Sequence, residues 1–297
     1  MYSLNDLKHA IEHPSVISRE LNRIASRGEY NEKGINIFDE DWDTLIILDA
    51  CRYDYFADEH NLNGNLDSRT SRGSATKEWV AGNFKNRQPK DTVYVTSNGW
   101  YERLHEDLNS SVFKYLGVYG ENFIDPKTNT ILPKTMSKAA LDAYKNYPNK
   151  RLLIHFVQPH KPYISEKGRQ AFPNSDGISM LDMLSESKAG NPYEALRTAY
   201  RENLRVVLRE VKRLVGELSG KTVVSSDHGE LLGDRQLRLP FRGVGHPVGV
   251  YVDTLVRVPW FVCDYGQRRK ITEGKPDEIS KSNERDVDAH LENLGYV

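Results

Sequence analysis

The stretch VVSSDHGELLGD, Val223 to Asp234, passes within a few residues from β-branched to ionisable side chains. Its start, in "GKTVVSSDHG", suits a strand buried on both faces, as in a parallel sheet. Its end places Asp227, His228, Gly229 and Glu230 at the mouth of that strand. Upstream, Ala195, Leu196, Ala199, Tyr200, Leu204 and Val207 begin an apolar stripe with spacings of three and four that runs on to Leu218. That spacing predicts one long helix. Gly220 follows as a helix stop. A helix leading straight into a buried strand is an α/β unit.

The same pattern recurs along the chain. Leu45 to Leu48 is a continuous apolar run that ends at Asp49. "DTVYVTSN", Leu152 to Val157 and "VRVPWFVCD" read as further strands, with "FKYLGVY" at 113–119 as a weaker one. The expected fold class is α/β, a mostly parallel central sheet with helices on both faces, and with Leu45–Leu48 and Val223–Val224 central. Residues 1–35 read as a helical N-terminal extension interrupted at Pro14, residues 36–264 as the catalytic domain, and residues 265–297 as a charged tail with a short helix near "ERDVDAHLENLG". The polar region 165–193 is expected to be a long loop or lid. With 60–72 and 98–112 it is where substrate specificity would reside.

Composition narrows the class. The 297 residues hold 41 Lys plus Arg against 42 Asp plus Glu, so no global charge draws the protein to nucleic acid or to an acidic membrane. The two cysteines, Cys51 and Cys263, form no Cys-x-x-Cys pair and argue against a disulfide scaffold. No apolar stretch approaches a membrane span or a signal peptide. The expectation is a cytoplasmic protein.

Sites in open α/β sheets lie beyond the carboxyl ends of the strands. Asp227 and His228 at one such end, and Asp49 at another, can share a divalent cation. Either aspartate alone would read as a helix cap. Gly229 is expected to free the backbone for a sharp turn. Ser74 and Thr76 in "GSATKEWV" precede a helix start, and either could cap it. A helix start also suits a phosphate-like anion. A metal beside such a hydroxyl lowers its pKa and makes it a nucleophile. In "HFVQPHKPY", His160 and Lys161 lie between two prolines and could neutralise an oxyanion or move a proton. His155 lies inside the strand and reads as a core or supporting group. His246, between Gly245 and Pro247, is a weak signal alone.

In this order, "LIILDACRYD", "GSATKEWV", "HFVQPHKPYI", "SSDHGELLGD" and "GHPVGVYVDTLVRVPWF" resemble the sulfatase-like branch of the alkaline phosphatase superfamily, over about residues 43 to 263. The resemblance implies transfer or hydrolysis of phosphate, phosphonate or sulfate esters. It implies Asp49, Thr76, Asp227 and His228 as metal ligands and Thr76 or Ser74 as nucleophile, with Thr76 favoured. His160 would assist the leaving group or bind oxygens of the ester, and Arg52, Lys161 and His246 would bind substrate. Neither cysteine lies in the tract that becomes formylglycine, which argues against a formylglycine sulfatase. Ala50 stands where calcium-type sulfatases have a second Asp, and "QPHKP" replaces the Asp-x-x-x-His tract of two-zinc members. One divalent metal is therefore expected, with Mn favoured over Zn or Mg. The expected function is a metal-dependent phosphoester hydrolase acting on a small-molecule, glycan-linked or lipid-linked ester. The alternatives are a phosphotransferase or sulfatase of the same superfamily, or an inactive binding module on this scaffold. Oligomeric state is not legible.

Overall fold

The computed structural model describes residues 28–235, 242–277 and 284–296. The helix expected over residues 3–27 lies outside them. The strands are β1 (Thr44–Leu48), β2 (Gly64–Thr70), β3 (Thr92–Thr96), β4 (Lys114–Gly117), β5 (Ile124–Asp125), β6 (Thr130–Ile131), β7 (Arg151–Phe156), β8 (Thr222–Ser225), β9 (Leu231–Arg235), β10 (Arg242–Gly245) and β11 (Arg257–Cys263). The helices are α1 (Tyr53–Glu59), α2 (Thr76–Phe84), α3 (Trp100–Leu104), α4 (Pro133–Asn146), α5 (Glu166–Ala171), α6 (Met180–Ser185), α7 (Pro192–Glu217), α8 (Asp253–Val256) and α9 (Glu284–Asn293).

Seven strands form the central sheet in the order β2-β11-β8-β1-β7-β3-β4. Neighbours from β8 to β4 run parallel, and β11 runs antiparallel to both β8 and β2. Every residue of β1, β3 and β8 is buried. Successive side chains on a strand point to opposite faces, so both faces of this sheet are covered, as continuous apolar runs require. In the helix α7, Leu196, Ala199, Leu204, Val207, Val211 and Leu214 are buried, which is the stripe read from the sequence. Asn191 caps its start by accepting from the Glu194 N–H, and Gly220 turns the chain into β8 at φ +86°.

Three expectations change. Region 165–193 is not an open loop. It contains α5 and α6, each capped by a serine, Ser165 and Ser179, that accepts from a backbone N–H of the first turn. The strand β2 lies in the expected 60–72 loop. Its polar sequence, GNLDSRT, pairs only with β11 at the sheet edge, where an apolar pattern is not needed. The tail is more than a charged appendage, because Val287 and Leu291 of α9 join the main core cluster.

Candidate active site

The end of β1 sets the site. Asp49 follows Leu48, and Ala50 then adopts φ +60°, the left-handed region that costs a residue with a Cβ roughly 1–2 kcal/mol. The turn is held from several sides. The Ala50 N–H donates to Asp227 Oδ1 at 3.0 Å, the Cys51 N–H to Ser226 Oγ at 2.8 Å, and Tyr200 O–H to the Ala50 carbonyl at 2.7 Å. These bonds tie the mouths of β1 and β8 together. The Asp227 main chain is fixed in turn by Ser71, whose hydroxyl donates to its carbonyl. Gly229 serves close packing rather than a turn. Its φ is not positive, and a Cβ there would come within 2.1 Å of the Thr254 carbonyl oxygen.

Thr76 is the first residue of α2, and Ala75 before it is the N-cap, with no side-chain bond. Neither Ser74 nor Thr76 caps the helix, contrary to the sequence reading. Their hydroxyls are engaged elsewhere. Ser74 Oγ donates to Glu78 Oε2 at 2.8 Å or to the Pro247 carbonyl at 2.9 Å. Buried Glu78 also accepts from Gly249 N–H and Tyr251 O–H, so Ser74 belongs to a brace between α2 and the 247–251 loop. Thr76 Oγ1 instead lies 2.8 Å from Asp227 Oδ2 and 3.2 Å from His228 Nε2.

Asp49, Asp227 and His228 present ligand atoms within 4.8 Å of one another, and with Thr76 they are fully buried. Among the described residues, no lysine or arginine pairs with either carboxyl of this cluster. Asp49 accepts from Asn98 Nδ2 at 3.0 Å and from Tyr296 O–H at 3.0 Å, and Asp227 accepts from Thr76 and the backbone N–H groups of Ala50 and His228. None of these donors is charged. Burial and the Asp227 charge push the Asp49 carboxyl well above the ordinary range. Burial pushes Asp227 up as well, but His228, His155 and the Ala50 N–H outweigh it and hold it low. His228 Nδ1 lies 2.8 Å from the Gly229 carbonyl, which can only accept, so Nδ1 carries the proton. Nε2 is then a bare lone pair, because burial keeps His228 neutral by lowering its pKa. That lone pair faces Asp227 Oδ2 at 3.3 Å and Asp49 Oδ1 at 3.7 Å. Two carboxylates and an imidazole lone pair turned on one point fit a divalent cation, and oxygen and nitrogen donors suit Mn, Zn or Mg.

A second cluster adjoins the first. His160, Glu230 and His246 also present ligand atoms within 4.8 Å of one another. The His246 ring centroid is 4.6 Å from that of His228 and 5.1 Å from that of His160. His246 Nδ1 is 3.2 Å from both oxygens of Glu230, and His160 Nδ1 donates to the Lys161 carbonyl at 2.6 Å. Burial, aided by His246 and Lys161, holds His160 neutral well below its usual pKa. Burial lowers Lys161 to about 8, and its Nζ donates to the Leu294 carbonyl at 3.0 Å. A cavity of about 170 Å³ opens against His160, Lys161, His246 and Gly295, between α6 and β10.

Arg52 stands apart from the other candidates. It donates two bonds to Asp54, at 2.9 and 2.7 Å, and one to Asp234 at 2.6 Å. It therefore ties β9 to the start of α1. His155 is 3.6 Å from Asp227 Oδ2 through Nε2, while its Nδ1 meets Tyr94 O–H at 2.9 Å. Sequence reasoning assigned no role to Glu230, Asn98 or Tyr296. Glu230 was signalled by the second acid of Asp-His-Gly-Glu. Tyr296 had no signal, since it meets Thr76 across 220 positions of chain.

No family model matches the sequence, and no curated protein does. Solved structures do. The soluble domain of lipooligosaccharide phosphoethanolamine transferase A from Neisseria meningitidis is 13% identical, with 73% of this chain and 75% of that one covered and a TM-score of 0.48. This chain spans 47% of the integral membrane form of that protein. The C-terminal periplasmic domain of phosphoethanolamine transferase EptC from Campylobacter jejuni is 15% identical over 74% of this chain and 77% of that one, with a TM-score of 0.47. The lipoteichoic acid synthase LtaP from Listeria monocytogenes is 11% identical over 76% and 66%, with a TM-score of 0.40. At such identities and scores the likeness assigns neither a family, a residue nor an activity.

Proposed function

We propose that this protein is a metal-dependent phosphoester hydrolase with Thr76 as its nucleophile. The observation that carries the reading is the placement of Thr76 Oγ1, 2.8 Å from Asp227 and 3.2 Å from His228, inside a buried cluster of two carboxyls and an imidazole. Asp49, Asp227, His228 and Thr76 would hold one divalent metal, Mn by preference, which would lower the hydroxyl pKa and offset charge on the phosphoryl group. Thr76 Oγ1 gives up its proton along its hydrogen bond to Asp227 Oδ2 and forms a bond to phosphorus as the ester P–O bond opposite breaks. The departing oxygen takes a proton, and His246, held by Glu230, is placed to relay it. Lys161 and His160 line the cavity where the non-reacting oxygens would lie. Water then attacks the phospho-threonine and restores the hydroxyl. A phosphotransferase differs only in an acceptor hydroxyl taking the place of that water. The unit carrying this chemistry is residues 36–264.

The test combines metal analysis of the purified protein with a screen of chromogenic phosphate monoesters, diesters, phosphonates and sulfates with Mn, Zn and Mg. The expected result is close to stoichiometric divalent metal and turnover of a phosphate ester that chelator abolishes and Mn restores. A protein that binds no metal and turns over no ester would be an inactive scaffold.

A further inference from the structure

The segment 284–296 enters the site from outside the sheet. The Tyr296 hydroxyl lies 3.1 Å from Thr76 Oγ1 and donates to Asp49, 3.0 Å from Oδ2 and 3.3 Å from Oδ1. Its ring stacks on His160 at 5.3 Å and 11°, lies 5.6 Å from the His246 ring and meets Trp100 edge-on at 6.0 Å. Two residues earlier, the Leu294 carbonyl occupies the Lys161 ammonium. One short segment thus covers Thr76, His160 and Lys161 together. The adjoining cavity is lined by His160, Lys161, His246 and Gly295, but Thr76 is not in its wall and is fully buried. A reacting phosphorus must come to about 3–3.5 Å from its nucleophile. The phenol oxygen already stands at that distance, so it and a phosphoryl group exclude one another.

We propose that residues 284–296 form a removable stopper, with Tyr296 seated where the substrate's phosphoryl group must sit, so that the site opens only when this segment withdraws. The proposal rests on Thr76 being the reacting group. The segment is attached by buried apolar contacts and a set of polar ties. Val287 and Leu291 rest against Gly99, where an added Cβ would come within 3.0 Å of Val287. The polar ties include His290 to the Ser97 carbonyl at 2.8 Å, Asn293 to the Asn129 carbonyl at 3.0 Å, the Asn129 amide to Asn293 Oδ1 at 3.0 Å, the Gly177 N–H to the Asn293 carbonyl at 2.8 Å, Lys161 to Leu294, and an ion pair between Arg103 and half-exposed Asp288. When a binding-competent state is only a fraction of the population, apparent affinity falls by that fraction. Loosening the stopper should therefore tighten phosphate binding rather than weaken it.

The test measures binding of inorganic phosphate to the full chain loaded with Mn, by calorimetry. The forms compared are the unaltered protein, Tyr296→Ala, Tyr296→Phe and Asp288→Ala. Tyr296→Ala is expected to bind phosphate about tenfold tighter or more. Tyr296→Phe, which keeps the ring, should gain less. Asp288→Ala acts from the surface and should shift affinity the same way without touching the site. In the unaltered protein, phosphate should speed amide hydrogen exchange across 284–296. Equal or weaker phosphate binding in Tyr296→Ala and Asp288→Ala, with ester turnover intact in the unaltered protein, overturns the stopper alone. If no form binds phosphate or turns over any ester, the Thr76 reading falls and takes the stopper with it.

Discussion

Asp43 and Asp49 bracket the same strand, β1, and both are buried. At the amino edge, Asp43 accepts from Arg268 Nε at 2.6 Å and Nη2 at 3.0 Å, and from the Lys221 N–H at 2.8 Å. Burial pushes its carboxyl up, yet these bonds outweigh it and leave it below the ordinary range. At the carboxyl edge Asp49 has, among the described residues, an amide and a phenol as side-chain donors, and burial and the Asp227 charge push its carboxyl well up. The strand and the residue type are the same, yet the consequences are opposite. A buried carboxylate given its own arginine is complete and holds the structure together. One whose protein donors are all uncharged is costly to ionise, and its chemistry suits a metal ligand. The comparison makes the amino edge a place for stability and supports the proposal of chemistry at the carboxyl edge.

The sharpest way to break this contrast is at Thr76. Thr76→Ala should lower turnover of the best ester by about 10³-fold or more and abolish the covalent phospho-enzyme seen by mass spectrometry. Ser74→Ala should leave the phospho-enzyme in place. Each variant removes one buried hydroxyl and should cost about 1 kcal/mol of stability, so the chemistry and not the melting temperature separates them. If Thr76→Ala still forms that intermediate and Ser74→Ala does not, the nucleophile has been assigned to the wrong hydroxyl.

A smaller effect is expected at Glu230, which holds His246 through both carboxylate oxygens. Glu230→Gln keeps the shape and removes the charge that fixes the ring. Removing a carboxylate that orients a functional imidazole typically costs 10–100-fold, and a loss of about that size in kcat is expected, with the phospho-enzyme still formed. Rapid-quench measurement of the intermediate checks this. An unchanged kcat would mean that the carboxyl edge works without the second cluster.

Much of this contrast was legible beforehand. Leu45–Leu48 and Val223–Val224 are continuous buried runs, and a parallel sheet needs such runs, so the strand mouths bearing Asp49, Asp227 and His228 could be placed. The expectation that these three would meet rested on their shared edge, and their ligand atoms do lie together. What could not be read depends on contacts that carry no local pattern. The polar strand β2 owes its existence to pairing with β11 at the edge. The capping role expected of Ser74 or Thr76 is lost because the N-cap falls on Ala75 between them, and their hydroxyls bond instead to Glu78, four residues on, and to Asp227 on another strand mouth. Arg52 reads as an anion binder, yet Asp54 and Asp234 claim it, and Asp234 arrives from a hairpin that the sequence did not suggest. Tyr296 is set by the docking of α9, which period and propensity cannot place.

The smallest expected effect lies at the opposite edge. Arg268 donates to buried Asp43 and also to exposed Asp41. Its hydrogen bond is the largest cause, with that of Lys221 next, that brings Asp41 down from 3.8 to about 2. A carboxyl with a folded pKa below its unfolded value contributes stability above the unfolded pKa and loses it as pH falls through the folded one. Asp41 and Asp43 are both lowered, so the Arg268 contribution should be complete above about pH 4 and fade toward pH 2. Arg268→Ala should cost about 2 kcal/mol at neutral pH. Most of that comes from the charge-assisted bonds to buried Asp43, because exposed pairs such as that with Asp41 contribute about 0.2–1 kcal/mol. The melting temperature should fall by roughly 2–6 °C, and the gap between variant and unaltered protein should narrow on acidification. Ester turnover at neutral pH should stay the same. A gap that instead widens toward pH 2 would show that Arg268 is not bound to ionised carboxylates. A large loss of turnover would show that the amino edge of β1 reaches the chemistry after all.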